Sequence, residues 1–320
     1  MSSVVVIGAG AWGTALAIQA ARAGNDVTLW ARDPARAHAI AASRENPRLP
    51  GRRLPDAVQV VDALPGTANA ILLVVPVQHM RSVLERLPTP DAPLVVCSKG
   101  VEAGTLRLPL EIVASLRPGT PAAVLSGPNF AHEVAAGLPA AAVVAAVDAA
   151  VRDGITRLIA TPAFRLYGND DPVGAQIGGA AKNVMAIAAG AVIGAGLGEN
   201  ARAALITRGL AELSRLAVAL GGRPQTVAGL SGLGDLLLTC TGQASRNYSL
   251  GLALGRGERL ADVLAARSAV TEGVATAPAL VALAAKVDMP ICSTVADLLA
   301  DRTTLSEAMA TLLARPRRDE

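Results

Sequence analysis

The sequence predicts an α/β protein, with a doubly wound parallel sheet over residues 1–173 and an all-α domain over residues 174–320. Short apolar runs alternate with helical segments up to about Tyr167, as in a right-handed series of βαβ units. The run Ile71–Val75 is apolar throughout, as expected for a strand covered by helices on both faces. After Tyr167 the strand pattern fades, and a glycine-rich helical region starts at Gly174. These features predict a Rossmann-like sheet domain followed by a helical domain.

A glycine motif joins the first predicted strand to the first helix. The apolar run Val4–Ile7 precedes Gly8, Gly10 and Gly13, which stand at G-x-G-x-x-G spacing before an Ala-rich amphipathic segment. The first glycine permits a tight turn, the second lets a pyrophosphate approach the backbone, and the third lets helix and strand pack closely. An ordinary strand-to-helix turn is the alternative. The flanking strand and helix favour a dinucleotide site, with phosphates on the free N–H groups of the helix.

The second strand is predicted at Val27–Trp30, and the residues after it bear on the choice of cofactor. NAD-selective domains usually place Asp or Glu near this strand end to bond the ribose 2′-hydroxyl. Arg32 follows the strand instead, and Asp33 stands directly before Pro34, where it is better explained as a helix N-cap. Because an arginine can meet a 2′-phosphate, we predict that NADPH is preferred over NADH.

The remaining elements follow from apolar periodicity and from the positions of glycine and proline. Strands are predicted at Val58–Val61, Ala70–Val75, Leu94–Cys97, Ala140–Ala146 and Phe164–Tyr167. Helices are predicted through Arg22 and at Pro34–Arg44, Val77–Leu87, Asp148–Ala160, Asn200–Leu220, Leu250–Leu254, Leu260–Ala266, Ala277–Lys286 and Val295–Leu299. The proline-rich loop Asn46–Gly51 could cover an adenine ring.

Three predicted strand ends carry small or polar residues. They are Val74–Pro76, Ser98–Gly100 and Ser126–Ala131. Ligands of doubly wound sheets bind beyond the carboxyl ends of the strands. We therefore expect Lys99 to face the bound ligand.

Lysines are rare in this chain, since only Lys99, Lys182 and Lys286 occur among the 29 Lys and Arg residues. Arginine keeps its proton under physiological conditions, whereas a lysine can be tuned toward neutrality. Lys182 stands next to Asn183 in a segment, residues 178–190, that has small residues at helical spacing. Such spacing allows close helix packing, and a buried Lys-Asn pair needs polar partners. We predict a functional pair, with a lysine snorkelling from the helix as the alternative.

Two further segments of the helical half carry polar candidates. Asp235 follows the glycine-dense stretch Gly229–Gly234, but taken alone it is explained as well by an N-cap. Ser245 precedes Arg246 and Asn247 at the start of a predicted helix. Ser245 could simply cap that helix. A cap followed by a guanidinium and an amide also suits a phosphate.

Composition excludes several function classes. The net charge is +3, but the arginines are dispersed and only six aromatic residues could stack bases, so no nucleic acid is expected as a partner. No run reaches the ~20 apolar residues of a membrane-spanning helix, and the N-terminus does not resemble a signal peptide. The three cysteines and three histidines fit no metal-ligand spacing, and the cysteine usage favours a reducing, cytoplasmic setting.

Taken together, these motifs resemble the NAD(P)-dependent glycerol-3-phosphate dehydrogenases of bacterial type. The resemblance runs from Val4 to about Leu299. It rests on GAGAWGTALA, the loop with NP, LPG and LP, SKG followed by Glu102, GPNFAHEVAAGLP, GGAAKNVMAIAAG, AALITRGLAEL, GLGDLLLTCT, SRN and TEGVATA. It implies reduction of dihydroxyacetone phosphate, a phosphorylated ketone, to sn-glycerol 3-phosphate, feeding glycerophospholipid synthesis. The implied cofactors are NADP and NAD.

The resemblance also implies residue roles, with Lys182 as the general acid/base. Around the substrate it places Lys99, Gly127, Asn129, Lys182, Asp235, Ser245, Arg246 and Asn247. Around the cofactor it places residues of the glycine motif and others farther along the chain, namely Gly8, Gly10, Ala11, Trp12, Gly13, Arg32, Lys99, Ala131, Arg246, Val270 and Glu272. We expect Lys182 to protonate the ketone oxygen, Lys99 to supply positive charge beside it, and Asp235 to orient or neutralise Lys182. The phosphate would rest on Arg246, Asn247 and the helix N-terminus.

Two departures from the family pattern leave points open. Arg48 stands where relatives often carry an aromatic just before Leu-Pro-Gly, and Asn129 where many carry Ser. Two rival functions also remain. One is a two-domain reductase of hydroxy acids or sugar acids, where a Lys-Asn pair also follows the nucleotide domain, and the other is a non-catalytic NADP(H) sensor. The oligomeric state is open, although the Ala-rich helices of the second half could form a homodimer surface.

Overall fold

Eight β-strands pair into one sheet in the computed structural model, which describes residues 2–88, 91–242, 244–267, 271–285 and 287–315. They are β1 (Ser3–Ile7), β2 (Asp26–Trp30), β3 (Val58–Val61), β4 (Ala70–Leu73), β5 (Leu94–Val96), β6 (Ala122–Ser126), β7 (Ala140–Ala145) and β8 (Phe164–Asn169). Their spatial order is β3-β2-β1-β4-β5-β6-β7-β8, so the winding reverses between β1 and β4. The Rossmann-like prediction is confirmed.

Helices cover both faces of this sheet. They are α1 (Ala11–Arg22), α2 (Pro34–Ser43), α3 (Val77–Arg86), α4 (Pro109–Leu116), α5 (Ala131–Ala136) and α6 (Ala149–Ile159). In β1, Val4 and Val6 pack in one core with residues of α1, α5 and α6. Val5 and Ile7 point to the opposite face and pack with residues of α3 and α4. Burial on both faces explains why β1 is apolar throughout.

Two strands, β7 and β8, run against the rest of the sheet. β7 pairs antiparallel with β6, whereas all other neighbours in the sheet are parallel. The predicted parallel sheet is therefore confirmed for β1 to β6, whereas β7 and β8 run in the opposite direction. The helix that joins these strands, α5, has only six residues. A helix of that size is about 9 Å long, too short to carry the chain back along a strand, so β7 returns in the opposite direction.

Contacts divide the chain into two compact units. Unit 1 comprises Met1–Lys99 and Arg107–Gln176, and unit 2 comprises Gly100–Leu106 and Ile177–Glu320. The later helices are α7 (Pro172–Gly194), α8 (Gly198–Ala219), α9 (Pro224–Val227), α10 (Asp235–Thr241), α11 (Arg246–Gly255), α12 (Leu260–Ala265), α13 (Glu272–Ala284), α14 (Pro290–Leu299) and α15 (Leu305–Leu313). A π-helical turn, Leu230–Gly234, precedes α10. The all-α prediction is confirmed for the described part of unit 2, while the boundary after residue 173 stays a prediction.

α7 and α11 pack backbone against backbone within unit 2. A Cβ at Gly190 would lie 2.1 Å from the carbonyl oxygen of Tyr248, and a Cβ at Gly251 would lie 1.9 Å from that of Ile187. Both distances are far shorter than a van der Waals contact, so only glycine fits at these two positions. The small residues in the α7 sequence therefore serve close helix packing, as predicted.

α7 is also long and apolar enough to cross a membrane by length and composition, with a mean hydropathy of 1.4 over its most apolar window. Within the protein, 83% of that window is buried. Burial of this extent is typical of a helix in a protein core.

Glu212 of α8 caps the start of α14. Its carboxylate accepts the N–H of Ile291 at 2.6 Å and the N–H of Cys292 at 3.2 Å, and the residue is 1% exposed. Burial raises the pKa of Glu212 from 4.5 to about 7, although the two N–H groups and Arg215 act in the opposite direction. Between these two pH values the folded protein therefore holds a proton that the unfolded chain has lost.

We expect Glu212→Gln to remove a pH dependence of stability. In the wild type, the free energy of unfolding should fall as the pH rises from about 4.5 to about 7, by roughly 3 kcal/mol at most, because the unfolded chain ionises first. The variant has no group to titrate at this position, so this component should be absent. Urea denaturation of both proteins between about pH 4 and pH 8 measures the difference. Stability curves that stay parallel over this range would contradict the raised pKa.

Candidate functional site

The glycine motif forms the turn between β1 and α1. The protein's own packing requires glycine at two of its three glycine positions but not at the third. Gly8 has φ +123°, and a Cβ there would lie 2.5 Å from the carbonyl oxygen of Val74. A Cβ at Gly13 would lie 1.8 Å from the carbonyl oxygen of Gly8. A Cβ at Gly10 would meet nothing within 4 Å among the described residues. The protein's packing explains Gly8 and Gly13, whereas the space in front of Gly10 is open to a ligand.

α1 begins at this turn without a capping side chain. Gly10 is its N-cap, Ala11, Trp12 and Gly13 form its first turn, and none of these residues is acidic. The first N–H groups of a helix have no partner within the helix and carry the positive end of its dipole. This helix end is therefore suited to an anion. Ala131, another predicted cofactor residue of unit 1, begins α5.

Asn46 fastens the proline-rich loop to the glycine turn. Its side chain is buried and donates to the carbonyl oxygen of Ala9 at 3.1 Å and to Thr14 Oγ1 at 2.7 Å. Its Oδ1 accepts the N–H of Arg48 at 3.0 Å. Sequence reasoning placed a loop here from its prolines but missed the role of Asn46, because a contact over 37 residues leaves no local pattern.

The end of β2 carries the predicted cofactor residue Arg32, which is exposed. Asp33, as predicted, is the N-cap of α2 and accepts the N–H of Ala35 at 3.0 Å and the N–H of Arg36 at 3.4 Å. The acidic side chain next to the strand end is therefore engaged by the helix.

Three predicted substrate residues lie together at the ends of β5 and β6. Lys99 Nζ donates to the carbonyl oxygen of Gly127 at 3.3 Å. Gly127 has φ +154°, and a Cβ there would lie 2.9 Å from Ala142 Cα, so glycine is required. Asn129 Nδ2 donates to the carbonyl oxygen of Ala141 at 3.1 Å, whereas its buried Oδ1 has no hydrogen-bond partner among the described residues. Buried acceptors are rarely left unpaired, so this oxygen is a candidate for a ligand donor.

Lys182 of α7 and Asp235 of α10 form a buried ion pair within unit 2. Lys182 Nζ donates to Asp235 Oδ1, and the two side chains are 12% and 0% exposed. Thr239 Oγ1 donates to the backbone carbonyl of Asp235 at 2.6 Å and lies 3.4 Å from its Oδ1. The N-cap of α10 is Gly234, so the alternative explanation of Asp235 as an N-cap is wrong. The carboxylate instead holds the ammonium group of Lys182 in one position.

A cysteine lies near this pair but is not suited to react. Burial raises the pKa of Cys240 to about 12, with smaller effects of Lys182, which lowers it, and Asp235, which raises it. A thiol with so high a pKa stays protonated and unreactive near neutral pH. All three cysteines of the chain, Cys97, Cys240 and Cys292, are buried and free.

The start of α11 holds Ser245 and Arg246. Ser245 is the N-cap, and its Oγ accepts the N–H of Tyr248 at 3.2 Å. Arg246 is exposed in the first turn, and Arg267 donates to its backbone carbonyl at 2.7 Å. Positive side chains at a helix N-terminus are disfavoured by the dipole unless an anion shares the site. Ser245 thus caps the helix, and this role is compatible with a phosphate bound at the same helix end.

Asn247 and Glu272 are joined through Asn183. Asn247 Nδ2 donates to Asn183 Oδ1 at 2.9 Å, and Asn247 Oδ1 accepts the N–H of Gly273 at 2.9 Å. Asn183 Nδ2 donates to Glu272 Oε2 at 3.2 Å. The amide of Asn247 thus links the start of α11 to α7 and α13. Val270, predicted beside the cofactor, lies outside the described residues.

Sequence reasoning left Thr239 out of the predicted site and named Asn183 only as the partner of Lys182 in a functional pair, although both contact residues predicted to belong to the site. Thr239 could have been found, because it lies four residues after Asp235 and therefore on the same face of α10. The partners of Asn183 lie 64 and 89 residues away, and no local spacing indicates them.

Comparisons with known proteins cover almost the whole chain. A family model for the N-terminus of NAD-dependent glycerol-3-phosphate dehydrogenase matches residues 3–152, and one for the C-terminus matches residues 171–310. Glycerol-3-phosphate dehydrogenase (NAD(P)+) of Gluconobacter oxydans is 57% identical over 98% of this chain and 97% of its own. The protein of the same name from Acidiphilium cryptum gives the same three values, 57%, 98% and 97%. The crystal structure of glycerol-3-phosphate dehydrogenase from Coxiella burnetii matches with a TM-score of 0.93 at 38% identity, over 98% of this chain and 99% of its own.

Proposed function

The chain belongs to the family of NAD-dependent glycerol-3-phosphate dehydrogenases, and we propose that its buried Lys182–Asp235 pair supplies the proton for their reaction. The enzyme reduces dihydroxyacetone phosphate to sn-glycerol 3-phosphate with NADPH or NADH, and the product is the backbone of glycerophospholipids. The ion pair is the observation that supports this function most directly. A ketone reduction needs a proton donor, and here one of the few lysines is held beside a carboxylate.

The glycine turn of unit 1 fits a nicotinamide dinucleotide. When bound in reduced form, this cofactor supplies the hydride. Gly10 leaves room for a pyrophosphate, and the N–H groups of residues 11–13 would bind its oxygens. Arg32 would bind a 2′-phosphate at the end of β2. The remaining cofactor residues that we propose are Lys99 and Ala131 in unit 1 and Arg246, Val270 and Glu272 in unit 2.

We expect Gly10→Ala to weaken cofactor binding without unfolding the protein. The added methyl group meets no protein atom within 4 Å, so Tm should stay at the wild-type value. It would occupy the space needed by the pyrophosphate, and NADPH affinity should fall by about tenfold, the size of one lost hydrogen bond to a charged group.

Gly13→Ala is the matched control for this change. Its methyl group would collide with the carbonyl oxygen of Gly8, so this variant should lose stability itself. Fluorescence titration with NADPH and thermal unfolding separate the two effects. Wild-type NADPH affinity in a folded Gly10→Ala variant would contradict a ligand at this turn.

Three residues of unit 1 are proposed to bind the substrate. The buried Oδ1 of Asn129 would accept a hydrogen bond from a substrate hydroxyl, which would satisfy an acceptor that has no partner among the described residues. Lys99 would place its positive charge near the reacting oxygen. Gly127 allows the backbone geometry that puts its carbonyl in contact with the Lys99 ammonium group.

Lys182 would donate its proton to the ketone oxygen as the hydride arrives. Asp235 keeps the ammonium group oriented, and Thr239 holds Asp235 by its hydroxyl group. The phosphate would be bound at the start of α11 by Arg246, Asn247 and the N–H groups behind the Ser245 cap. Each residue then has a separate task of proton transfer, orientation or charge neutralisation.

NADPH oxidation with dihydroxyacetone phosphate, compared with a panel of 2-keto acids, tests this function. We expect turnover with dihydroxyacetone phosphate and only background rates with the keto acids. Preferred turnover of a keto acid would instead favour a hydroxy-acid reductase. NADPH binding without turnover of any ketone would favour a sensor.

We further propose that the enzyme acts in the cytoplasm as a homodimer. Three free cysteines support a reducing compartment, and the Ala-rich helices of unit 2 offer surfaces for a second copy. Light scattering of the purified protein measures the mass of the assembly, and a monomer at micromolar concentration would contradict the dimer.

A further inference from the structure

Arg36 and Asn46 both donate to the carbonyl oxygen of Ala9, in the glycine turn of unit 1. Arg36 Nη2 donates to this oxygen at 2.7 Å, and Asn46 Nδ2 donates to it at 3.1 Å. Asn46 Oδ1 in turn accepts the N–H of Arg48 at 3.0 Å. The Ala9 carbonyl oxygen therefore holds the guanidinium of Arg36 directly and the backbone of Arg48 through Asn46. These four residues, Ala9, Arg36, Asn46 and Arg48, form one corner of unit 1.

The guanidinium groups of Arg36 and Arg48 repel each other at this corner. Burial lowers the pKa of Arg36, and the neighbouring Arg48 guanidinium lowers it further, while Asp33 acts in the opposite direction. Arg36 also stands in the first turn of α2, where the helix dipole disfavours a positive side chain. The Asp33 carboxylate is already bonded to two N–H groups of that helix. An anion at this corner would convert the repulsion between the arginines into attraction.

The position of the corner indicates which anion. It adjoins the turn that would bind the pyrophosphate, and Arg32 follows the strand end where the adenosine ribose lies in folds of this type. A 2′-phosphate carries up to two negative charges and three acceptor oxygens, which suit several guanidinium groups. Arg36 keeps donors for such a contact, because a guanidinium has five and its hydrogen bond to the Ala9 carbonyl uses one.

We propose that Arg36 and Arg48 join Arg32 in a three-arginine clamp for the 2′-phosphate of NADPH. This inference rests on the proposed function and deepens it, since it assigns the preference for NADPH to α2 and the proline-rich loop as well as to Arg32. The unphosphorylated ribose of NADH offers the clamp no charge to bind.

Dissociation constants for NADPH and NADH, measured by cofactor fluorescence without substrate, test the clamp. Arg48→Ala and Arg36→Ala should each raise the dissociation constant for NADPH by about tenfold and change that for NADH by less than about twofold. Arg32→Asp should abolish the preference. Arg157→Ala on α6 removes the same charge from the same unit and should change neither constant. In the same variants, the affinity for 2′,5′-ADP should fall as the affinity for NADPH does. The affinity for 5′-ADP should stay nearly constant, as the affinity for NADH does.

Two results would overturn the clamp. One is a wild type that binds both dinucleotides equally, and the other is an unchanged NADPH-to-NADH ratio in Arg48→Ala and Arg36→Ala. Equal weakening of both dinucleotides in Arg36→Ala would mean that this residue only supports the glycine turn. Because these constants are measured without turnover, a failed clamp is distinguished from a failed function, which the assay with dihydroxyacetone phosphate would reveal.

Discussion

In Lys182→Arg we expect kcat for dihydroxyacetone phosphate to fall by about 10²–10⁴-fold, the contribution of a general acid. Arginine keeps a positive charge beside Asp235 but does not release its proton near neutral pH. The reacting oxygen would gain negative charge with no proton donor in reach. NADPH affinity and Tm should stay near the wild-type values, because the buried carboxylate keeps a cationic partner. Single-turnover kinetics at saturating NADPH measure the loss.

An alkylated cysteine provides the control for this loss. The three native cysteines are buried, so 2-bromoethylamine should react selectively with the thiol introduced by Lys182→Cys. The product carries an amine of nearly lysine length with a lower pKa. Alkylation should restore part of kcat and move the alkaline limb of the pH profile to lower pH. Near-wild-type turnover in Lys182→Arg, or no recovery after alkylation of a folded Lys182→Cys variant, would contradict the assignment.

The fold could be predicted wherever a short stretch of sequence carries the information. The turn at Gly8–Gly13 follows from an apolar run, three glycines and an amphipathic segment, all within local contact. The direction of β7 could not be predicted in this way, because Ala140–Ala145 has the same apolar character in either direction. Its direction depends on the length of α5. The short helices α4 and α5 were also missed, since one or two turns give little periodicity.

Contacts in the candidate site join residues far apart in the chain, and most of these could not be predicted from local sequence either. Lys182 and Asp235 lie 53 residues apart, yet their pairing could be anticipated because the family resemblance places both at the substrate and a buried lysine requires a partner of opposite sign. The contacts of Asn46 and Asn247 could not be anticipated in this way, because an amide carries no net charge and many different groups can form hydrogen bonds with it. The arginine cluster stayed hidden for a related reason. In a chain that uses arginine by default, Arg36 and Arg48 do not differ from arginines on the surface until the structure brings them together.

Arg246→Ala should lower kcat/KM for dihydroxyacetone phosphate by about 10- to 150-fold, since a hydrogen bond to a charged group contributes about 1.5–3 kcal/mol. The loss could be larger if binding of the phosphate also positions the ketone. The slow reduction of unphosphorylated dihydroxyacetone should hardly change. Arg246 is exposed, so its removal should leave Tm near the wild-type value.

Arg256→Ala is the matched control, because Arg256 stands at the opposite end of the same helix and its loss changes the net charge equally. It should leave both substrates unaffected, which separates phosphate binding from a general change in surface charge. The NADPH dissociation constant must be measured in both variants, because Arg246 is also proposed to contact the cofactor. Equal losses of kcat/KM for the phosphorylated and unphosphorylated ketones in Arg246→Ala would assign this arginine to the cofactor or to the fold. A loss confined to dihydroxyacetone phosphate, with NADPH affinity intact, would place the phosphate at the start of α11.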